Sequence, residues 1–109
     1  MIEVIVTGEF ADWYGDLEDG ISDDVEVAVG LLEAKGVALG YPQSSSIKGA
    51  SFALRELRIQ SGGRPIRVFY AFDPKRQAVL LLGGDKTGDD RFYQEMISRL
   101  RSHLEGVPR

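Results

Sequence analysis

The chain has 109 residues, 43% hydrophobic and 28% charged, which is enough for one core, so a single domain over residues 1–109 is expected. It has no cysteine, which excludes disulfides and thiolate metal sites, and its longest apolar runs, five residues each, fall far short of the roughly 20 that a membrane-spanning helix needs. The net charge of −4 argues at first sight against a nucleic-acid partner, and without a leader-like segment after Met1 a cytoplasmic location is expected.

The first elements along the chain are a strand and a helix. Ile2 to Val6 is a short run rich in β-branched residues, which predicts a strand, and Thr7 is suited to cap the helix that follows. Helical spacing then places four apolar residues on one stripe, which we expect to be core: Phe10, Trp13, Tyr14 and Leu17.

A second helix is predicted after Asp19-Gly20, with Ser22 as its N-cap and Gly36 at its end. Its buried stripe comprises Val25, Ala28, Val29 and Leu32. The segment from Val37 to Ser51 is glycine- and serine-rich, so we expect a loop without regular structure there.

From Ala53 onward the apolar period becomes two, which predicts strands. Gly62-Gly63 is a strong hairpin signal, and a turn there fixes the register of the two flanking strands. The apolar pairs expected on the core face are Ile59 with Ile66, Leu57 with Val68, and Ala53 with Phe72.

A second turn is predicted at Asp73 to Arg76, followed by an apolar strand from Ala78 to Leu82 and a flexible loop from Gly83 to Gly88. Helical spacing returns from Asp89, with a stripe of Tyr93, Met96, Ile97, Leu100 and Leu104, and the tail after Glu105 is expected to fray. The order βααβββα predicts an α+β fold with a helical hairpin and a terminal helix around a twisted antiparallel sheet.

The charges are unevenly distributed along the chain. Residues 1–47 carry ten acidic and one basic group, whereas residues 48–91 carry nine basic and five acidic groups. This asymmetry is compatible with two solvated faces of an ordinary protein, and also with a basic surface that meets nucleic acid.

The predicted register places Arg58 directly opposite Arg67, an arrangement of like charges that needs compensation. Glu56 lies on the same face and is the internal candidate. One interpretation is a solvated salt-bridge network; the one we favour is a phosphate-binding site, since guanidinium groups suit phosphate well.

Lys86 follows Gly83-Gly84 and is placed to reach the same face of the sheet. The loop does not match a Walker motif, because Asp85 precedes the lysine. Capping of the next helix explains Asp89 and Asp90 without a metal ion, so neither a metal nor a cofactor is expected.

Few residues are available for proton transfer. Cysteine is absent, and the lone His103 lies near the end of the chain, where surface histidines are usual. Lys86, Tyr93 or Glu56 would therefore have to move protons, although Tyr93 also fits a core position. Phe69 shares a face with Arg67, and a nucleobase could stack on it.

Three segments resemble the phage-derived branch of the RelE/HigB toxins: Leu54 to Arg58, Gln60 to Asp73, and Gly83 to Tyr93. The resemblance covers roughly Ile2 to Leu104. It implies a RelE-like (microbial RNase-like) fold and a toxin of a type II toxin–antitoxin system that cleaves mRNA in the ribosomal A site. It further implies attack of the ribose 2′-hydroxyl on the adjacent phosphate without a cofactor.

The resemblance also implies site residues. Arg67 matches the family's phosphate-stabilising arginine, with Arg58, Lys86 and Tyr93 matching neighbouring catalytic positions. Glu56 matches a strand glutamate that orients the arginines or acts as general base. The residues expected to contact RNA are Lys48, Arg55, Arg64 and Phe69.

The expected partners are mRNA on the ribosome and a cognate antitoxin with a helix-turn-helix DNA-binding domain. Two departures from the family pattern are the acidic net charge and Leu54 and Glu56, which stand where well-known members carry lysines. The alternative function is a catalytically weak or inactive module of the same fold. It would bind an antitoxin or another protein through an apolar groove.

Overall fold

The computed structural model describes residues 1–105, and the side chains of residues 1–102. The chain begins with strand β1 (Val4–Val6) and helix α1 (Gly8–Gly15). Thr7 caps α1 as predicted, because its Oγ1 accepts a hydrogen bond of 3.2 Å from the backbone nitrogen of Phe10. The same hydroxyl donates to the carbonyl oxygen of Leu81 at 3.0 Å and so ties the start of the helix to the sheet.

Helix α2 (Asp19–Lys35) begins earlier than predicted. Glu18 holds the extended backbone of an N-cap, and Ser22 lies inside the helix, where its hydroxyl donates to the carbonyl of Asp19 at 3.0 Å. The assignment of Ser22 as N-cap was therefore wrong. Gly36 ends the helix as expected, with a φ of 54° that favours glycine, and opens a short 3₁₀ turn, Gly36–Ala38.

Four further strands complete the sheet: β2 (Ser44–Ser46), β3 (Arg55–Ser61), β4 (Arg64–Phe72) and β5 (Ala78–Asp85). They lie in the order β1-β5-β4-β3-β2. Strands β3 to β5 pair antiparallel as predicted, and the unpredicted β2 also pairs antiparallel with β3. Strand β1 pairs parallel with β5, so the sheet is mixed. The parallel pair joins two distant parts of the chain, and no local turn signals it.

The hairpin register between β3 and β4 is confirmed. Leu57 faces Val68, Ile59 faces Ile66, and Arg58 faces Arg67. The expected pair of Ala53 with Phe72 was wrong, since the ladder begins at Arg55 with Tyr70. Ala53 precedes the strand and is exposed, whereas Phe72 pairs with Ala78 of β5.

Strand β2 lies in the segment predicted to lack regular structure. Its serine side chains find partners in the fold: the hydroxyls of the buried Ser44 and Tyr70 are hydrogen-bonded to each other, and Arg55 donates to Ser44 at 3.0 and 3.2 Å. Polar residues can thus form an edge strand here because their hydroxyl groups are satisfied on pairing.

Strand β5 extends through Gly83 and Gly84, which were predicted to be loop. A Cβ on Gly83 would lie 2.3 Å from the ring of Trp13, and a Cβ on Gly84 would lie 2.8 Å from the ring of Phe92. The two glycines therefore allow aromatic rings to pack on both faces of the strand. Successive side chains of a strand point to opposite faces, so the two neighbouring glycines leave space on one face each. A bulge in β5 precedes them, between the pairs Phe69–Leu82 and Tyr70–Leu80.

Helix α3 (Phe92–Glu105) begins three residues later than the predicted start at Asp89. The predicted fraying after Glu105 and the positions of the His103 and Leu104 side chains lie outside the described residues. Within residues 1–105, no helix has both the length and the apolar character needed to cross a bilayer.

The sheet separates two cores. On one face α1 and α2 cover a cluster that includes Phe10, Leu32, Leu57 and Val68. On the other face α3 covers Leu54, Phe69 and Leu82 with its own Phe92 and Met96. We refer to these as the hairpin face and the α3 face. Arg58 and Arg67 lie on the α3 face, beyond the apolar part of that core.

Candidate functional site

Glu56 lies at the centre of a polar cluster on the α3 face. It is 3% exposed, and its Oε1 accepts a hydrogen bond of 2.7 Å from the Tyr93 hydroxyl and lies 3.3 Å from Arg67 Nε. Its Oε2 accepts 2.7 Å from the Ser45 hydroxyl and lies 3.6 Å from Arg58 Nη1. The carboxylate therefore compensates the two facing arginines, as the register predicted.

Arg67 is held rigidly within this cluster. Its side chain is 6% exposed; Nε faces Glu56 and donates to the Tyr93 hydroxyl at 3.4 Å, and Nη1 donates to the carbonyl of Ile66 at 3.1 Å. Among the described residues its Nη2 has no hydrogen-bond partner. Among the described side chains no fully enclosed polar atom lacks a partner, so Nη2 must reach the surface of the site. The residue thus presents the Nη2 amino group of a fixed guanidinium, which has no partner among the described residues.

Arg58 lies closer to solvent, with its side chain 33% exposed. Glu56 holds one end of its guanidinium group, and the group stands 5.4 Å from the centre of the Tyr41 ring. This distance is within the range of a cation–π contact. Arg58 therefore connects the buried carboxylate to an exposed aromatic ring.

Lys86 reaches the cluster from the end of β5. Its backbone nitrogen donates to the carbonyl of Pro65 at 2.9 Å, and the side chain of Asp85 accepts from the backbone nitrogen of Thr87 at 2.9 Å, which shapes the turn. The Lys86 amine lies 5.7 Å from the centre of the Tyr93 ring. A second cation thus stands beside the same tyrosine that contacts Arg67.

Tyr93 is positioned by α3 and by edge contacts of its ring with Phe69 and Phe92. Burial raises the pKa of the Tyr93 hydroxyl above its usual value, and the hydrogen bond to Glu56 raises it further, while Arg67 opposes the shift. Tyr93 therefore keeps its proton at neutral pH and is a hydrogen-bond donor or acid there.

The local charge of the cluster is opposite to that of the protein. Arg58, Arg67 and Lys86 contribute three positive charges against one negative charge from Glu56. The carboxylate thus offsets only part of the positive charge, and the excess favours an anion such as a phosphate. The salt-bridge network and the phosphate site, set out as alternatives from the sequence, are therefore compatible.

The structure brings together Glu56, Arg58, Arg67, Lys86 and Tyr93. It does not place the four residues predicted to contact RNA in this cluster. Phe69 is fully buried against Phe92 and Tyr93, so the prediction that a base stacks on its ring was wrong.

Arg55 and Arg64 lie on the hairpin face. Arg55 donates to the hydroxyls of Ser44 and Tyr70 and so links β3 to the strands on either side of it. Arg64 is exposed near the turn between β3 and β4, where its guanidinium stands 3.8 Å from Asp85. Lys48 is exposed in the segment between β2 and β3.

Sequence reasoning missed two residues of the cluster, Ser45 and Tyr41. Both lie in or next to β2, the strand that was interpreted as loop. The pairing of Ser45 with Glu56 brings the serine to the α3 face. A prediction of β2 from the serine run would have identified Ser45, because its register then follows.

An apolar groove of about 530 Å³ lies on the α3 face, between α3 and strands β4 and β5. Its lining is mostly apolar: Phe52, Leu54, Phe72, Leu81, Ile97 and Leu100 are among its residues. None of the residues of the polar cluster around Glu56 lines this groove. This is the kind of groove that the protein-binding alternative requires.

The sequence matches the family described as "Phage derived protein Gp49-like (DUF891)" over residues 12–105. It is 40% identical over 96 residues to "Putative toxin HigB3" of Mycobacterium tuberculosis, covering 86% of this chain and 82% of that protein. It is 38% identical over 88 residues to "Putative toxin HigB2" of the same organism, covering 78% of this chain and 44% of that protein.

The fold is similar to the solution structure of the conserved hypothetical protein HP0894 from Helicobacter pylori. The TM-score is 0.51 at 16% sequence identity, and the match covers 78% of this chain and 94% of that one. At this level of identity the likeness concerns the fold.

Proposed function

The chain belongs to the phage-derived Gp49-like family and is a HigB-type toxin with a RelE-like α+β fold, and we propose that it cleaves messenger RNA on the ribosome. The proposed reaction is attack of a ribose 2′-hydroxyl on the adjacent phosphate. The bond from phosphorus to the 5′-oxygen breaks, which leaves a cyclic phosphate on one product and a 5′-hydroxyl on the other.

The observation that carries this proposal is the state of Arg67. The guanidinium group is fixed on two sides by Glu56 and the Ile66 carbonyl, and its Nη2 is free to donate to a ligand. Negative charge grows on the phosphate oxygens as the 2′-oxygen attacks. A donor that is already oriented stabilises that charge without reorganising, which is a large term in enzyme catalysis.

The remaining residues take complementary roles in the proposal. Lys86 adds a mobile positive charge beside the phosphate. Tyr93, protonated at neutral pH, supplies a proton to the departing 5′-oxygen, while the proton of the 2′-hydroxyl passes to water. Glu56 orients Arg58, Arg67 and Tyr93. Its burial and its four polar neighbours argue against direct proton abstraction from the 2′-hydroxyl.

A toxin of this type acts with a cognate antitoxin, and we infer that the antitoxin carries a helix-turn-helix domain and keeps the toxin from the ribosome. The proposed place of action is therefore the cytoplasm, where ribosomes translate the message. The acidic net charge does not oppose this proposal, because three positive charges, those of Arg58, Arg67 and Lys86, surround the single carboxylate of Glu56.

The test is to add the protein to a reconstituted bacterial translation system and to map the 5′ ends of the message by primer extension. We expect new ends at A-site codons only when ribosomes are present. Arg67→Ala should lower the cleavage rate by roughly 100-fold or more, since it removes a preorganised donor.

Lys35→Ala is the control for that experiment. It removes one positive charge from the end of α2 and should leave cleavage unchanged. An intact message with the wild-type protein would refute the proposal, as would equal rates for Arg67→Ala and the control.

A non-catalytic module that binds a protein partner is the second candidate, and the apolar groove beside α3 favours it. In that case the message stays intact, and Ile97→Asp, at a half-buried position of the groove, weakens binding of the antitoxin while Arg67→Ala does not. The two functions thus predict opposite sensitivities of these two variants.

A further inference from the structure

We propose that Tyr41 and Arg58 form a stacking platform for one nucleobase of the message. This inference rests on the proposed function and assigns the part of the RNA that the site recognises. In this proposal Tyr41 takes the base-stacking role that the sequence had suggested for Phe69, whose burial excludes contact with a base.

The first argument is the exposure of Tyr41. Tyr41 is 76% exposed, and among the residues that the structure describes it is the one aromatic residue that lies mainly in solvent. The other rings pack in the two cores or lie half-buried against them. Aromatic rings on a protein surface are used to stack unpaired bases, because every base offers a π-face.

The second argument is the position of the ring beside the polar cluster. The Arg58 guanidinium stands 5.4 Å from the ring centre, and Glu56 anchors the same guanidinium at 3.6 Å. Arg58 thus lies between the Tyr41 ring and Glu56, the residue that also contacts Arg67. A planar guanidinium next to an aromatic ring also stacks well on a base.

The third argument is the chemistry of the ligand. A nucleotide carries an anionic phosphate and a flat base on opposite sides of its sugar. The site has a donor for the phosphate at Arg67 and an aromatic surface near Arg58, with Glu56 between the two. A single strand with its bases unstacked, as in a codon open to the A site, fits this division.

The experiment measures binding separately from cleavage. Bacterial ribosomes are programmed with a short message whose A-site codon carries 2′-deoxyribose, so that the proposed reaction cannot occur. The affinity of the ribosomes for the wild-type protein is compared with that for Tyr41→Ala, Tyr41→Trp and Val37→Ala. Val37 is a second exposed apolar residue, 52% exposed, and serves as the matched surface control.

Tyr41→Ala should weaken binding on the order of 10-fold, whereas Tyr41→Trp and Val37→Ala should bind like the wild type. Thermal unfolding of all four proteins checks that each is folded. Equal affinity of Tyr41→Ala and the wild type would overturn the stacking platform while leaving the proposed function intact.

A second step identifies the partner of the ring. The same binding measurements are repeated with an abasic nucleotide at each of the three codon positions. At one position the abasic site should weaken binding of the wild type and have no further effect on Tyr41→Ala. Additive effects at all three positions would overturn the assignment to a message base. Absence of any ribosome binding by the wild type would instead refute the proposed function, and this inference with it.

Discussion

At the scale of single residues, Glu56 determines how the cluster is held together. Its carboxylate forms ion pairs with both Arg58 and Arg67, and it also accepts hydrogen bonds from Ser45 and Tyr93. The sequence predicted the facing arginines and the role of Glu56 because both follow from one hairpin register. It did not predict Ser45 or Tyr41, whose positions depend on a strand that has no apolar pattern.

We predict that Glu56→Gln destabilises the protein by about 3 kcal/mol, because it leaves the buried Arg67 without a compensating charge. Urea denaturation of the two proteins measures the difference. Glu26→Gln, on the exposed side of α2, is the control and should unfold like the wild type. A difference below about 0.5 kcal/mol for Glu56→Gln, the usual range of surface substitutions, would contradict this role.

Tyr93 gives a prediction about pH. Its pKa in the folded protein is raised, first by burial and then by the hydrogen bond to Glu56. Between the ordinary tyrosine pKa of about 10 and the raised value, the unfolded chain loses this proton while the folded protein retains it, so stability falls as the pH rises through that window. Below pH of about 10 this contribution is fully present.

Denaturant unfolding at a series of pH values from 8 to 11 tests that relation. We expect the free energy of unfolding to fall less steeply above pH of about 10 in Tyr93→Phe than in the wild type, since phenylalanine does not ionise. The comparison cancels the titration of the other tyrosines and the lysines. Parallel curves for the two proteins would show that the Tyr93 pKa is not raised by folding.

At the scale of elements, the aromatic packing on β5 explains why its end differs from the prediction. Glycines usually indicate a loop, and here they continue the strand because Trp13 and Phe92 occupy the space of their side chains. The signal that would separate the two cases is tertiary, namely which rings pack on the strand. For the same reason the bulge opposite Phe69 and the parallel pairing of β1 were not predictable, whereas the hairpin at Gly62-Gly63 was.

Gly83→Ala should destabilise the protein by about 1 to 3 kcal/mol, because the new methyl group overlaps the Trp13 ring. Thermal or urea unfolding measures the loss. The matched control is Gly30→Ala in α2, where no atom lies within 4 Å of the added Cβ and where alanine favours the helix. That variant should be equally stable or more stable than the wild type.

Trp13→Leu replaces the indole ring by a smaller aliphatic side chain and should relieve part of the overlap, so the cost of Gly83→Ala should shrink in that background. If the two substitutions instead add, the strain does not come from the contact with Trp13. The double-mutant comparison therefore tests the packing directly rather than the presence of a glycine in a strand.

At the scale of the whole molecule, the sheet separates an acidic side of the protein from a basic one. The sequence shows this asymmetry only as an acidic segment followed by a basic segment. The acidic helices α1 and α2 cover the hairpin face, while Arg58, Arg67 and Lys86 gather on the α3 face. An acidic protein can therefore present a basic surface locally. The sequence indicated the basic segment but not its division, since Arg55 and Arg64 in that segment lie on the hairpin face.

This division leads to a prediction about ribosome binding that compares two lysines. Lys48 is exposed in a segment whose neighbours Ile47 and Gly49 lie against the core of α3, so it belongs to the α3 face. Lys35 ends α2 on the opposite side of the sheet. Lys48→Glu and Lys35→Glu each lower the net charge of −4 by two. Any difference in ribosome binding between the two variants therefore comes from where the lysine lies on the protein surface.

We expect Lys48→Glu to weaken cosedimentation with ribosomes. The slope of log affinity against log salt concentration should also become less steep by about one, because one fewer counterion is released on binding. Lys35→Glu should bind like the wild type. The measurement is a salt titration of cosedimentation for the three proteins. Equal losses for both variants would show that net charge governs the encounter. A loss confined to Lys35→Glu would place the ribosome on the hairpin face, and the α3 face would then be left to the antitoxin.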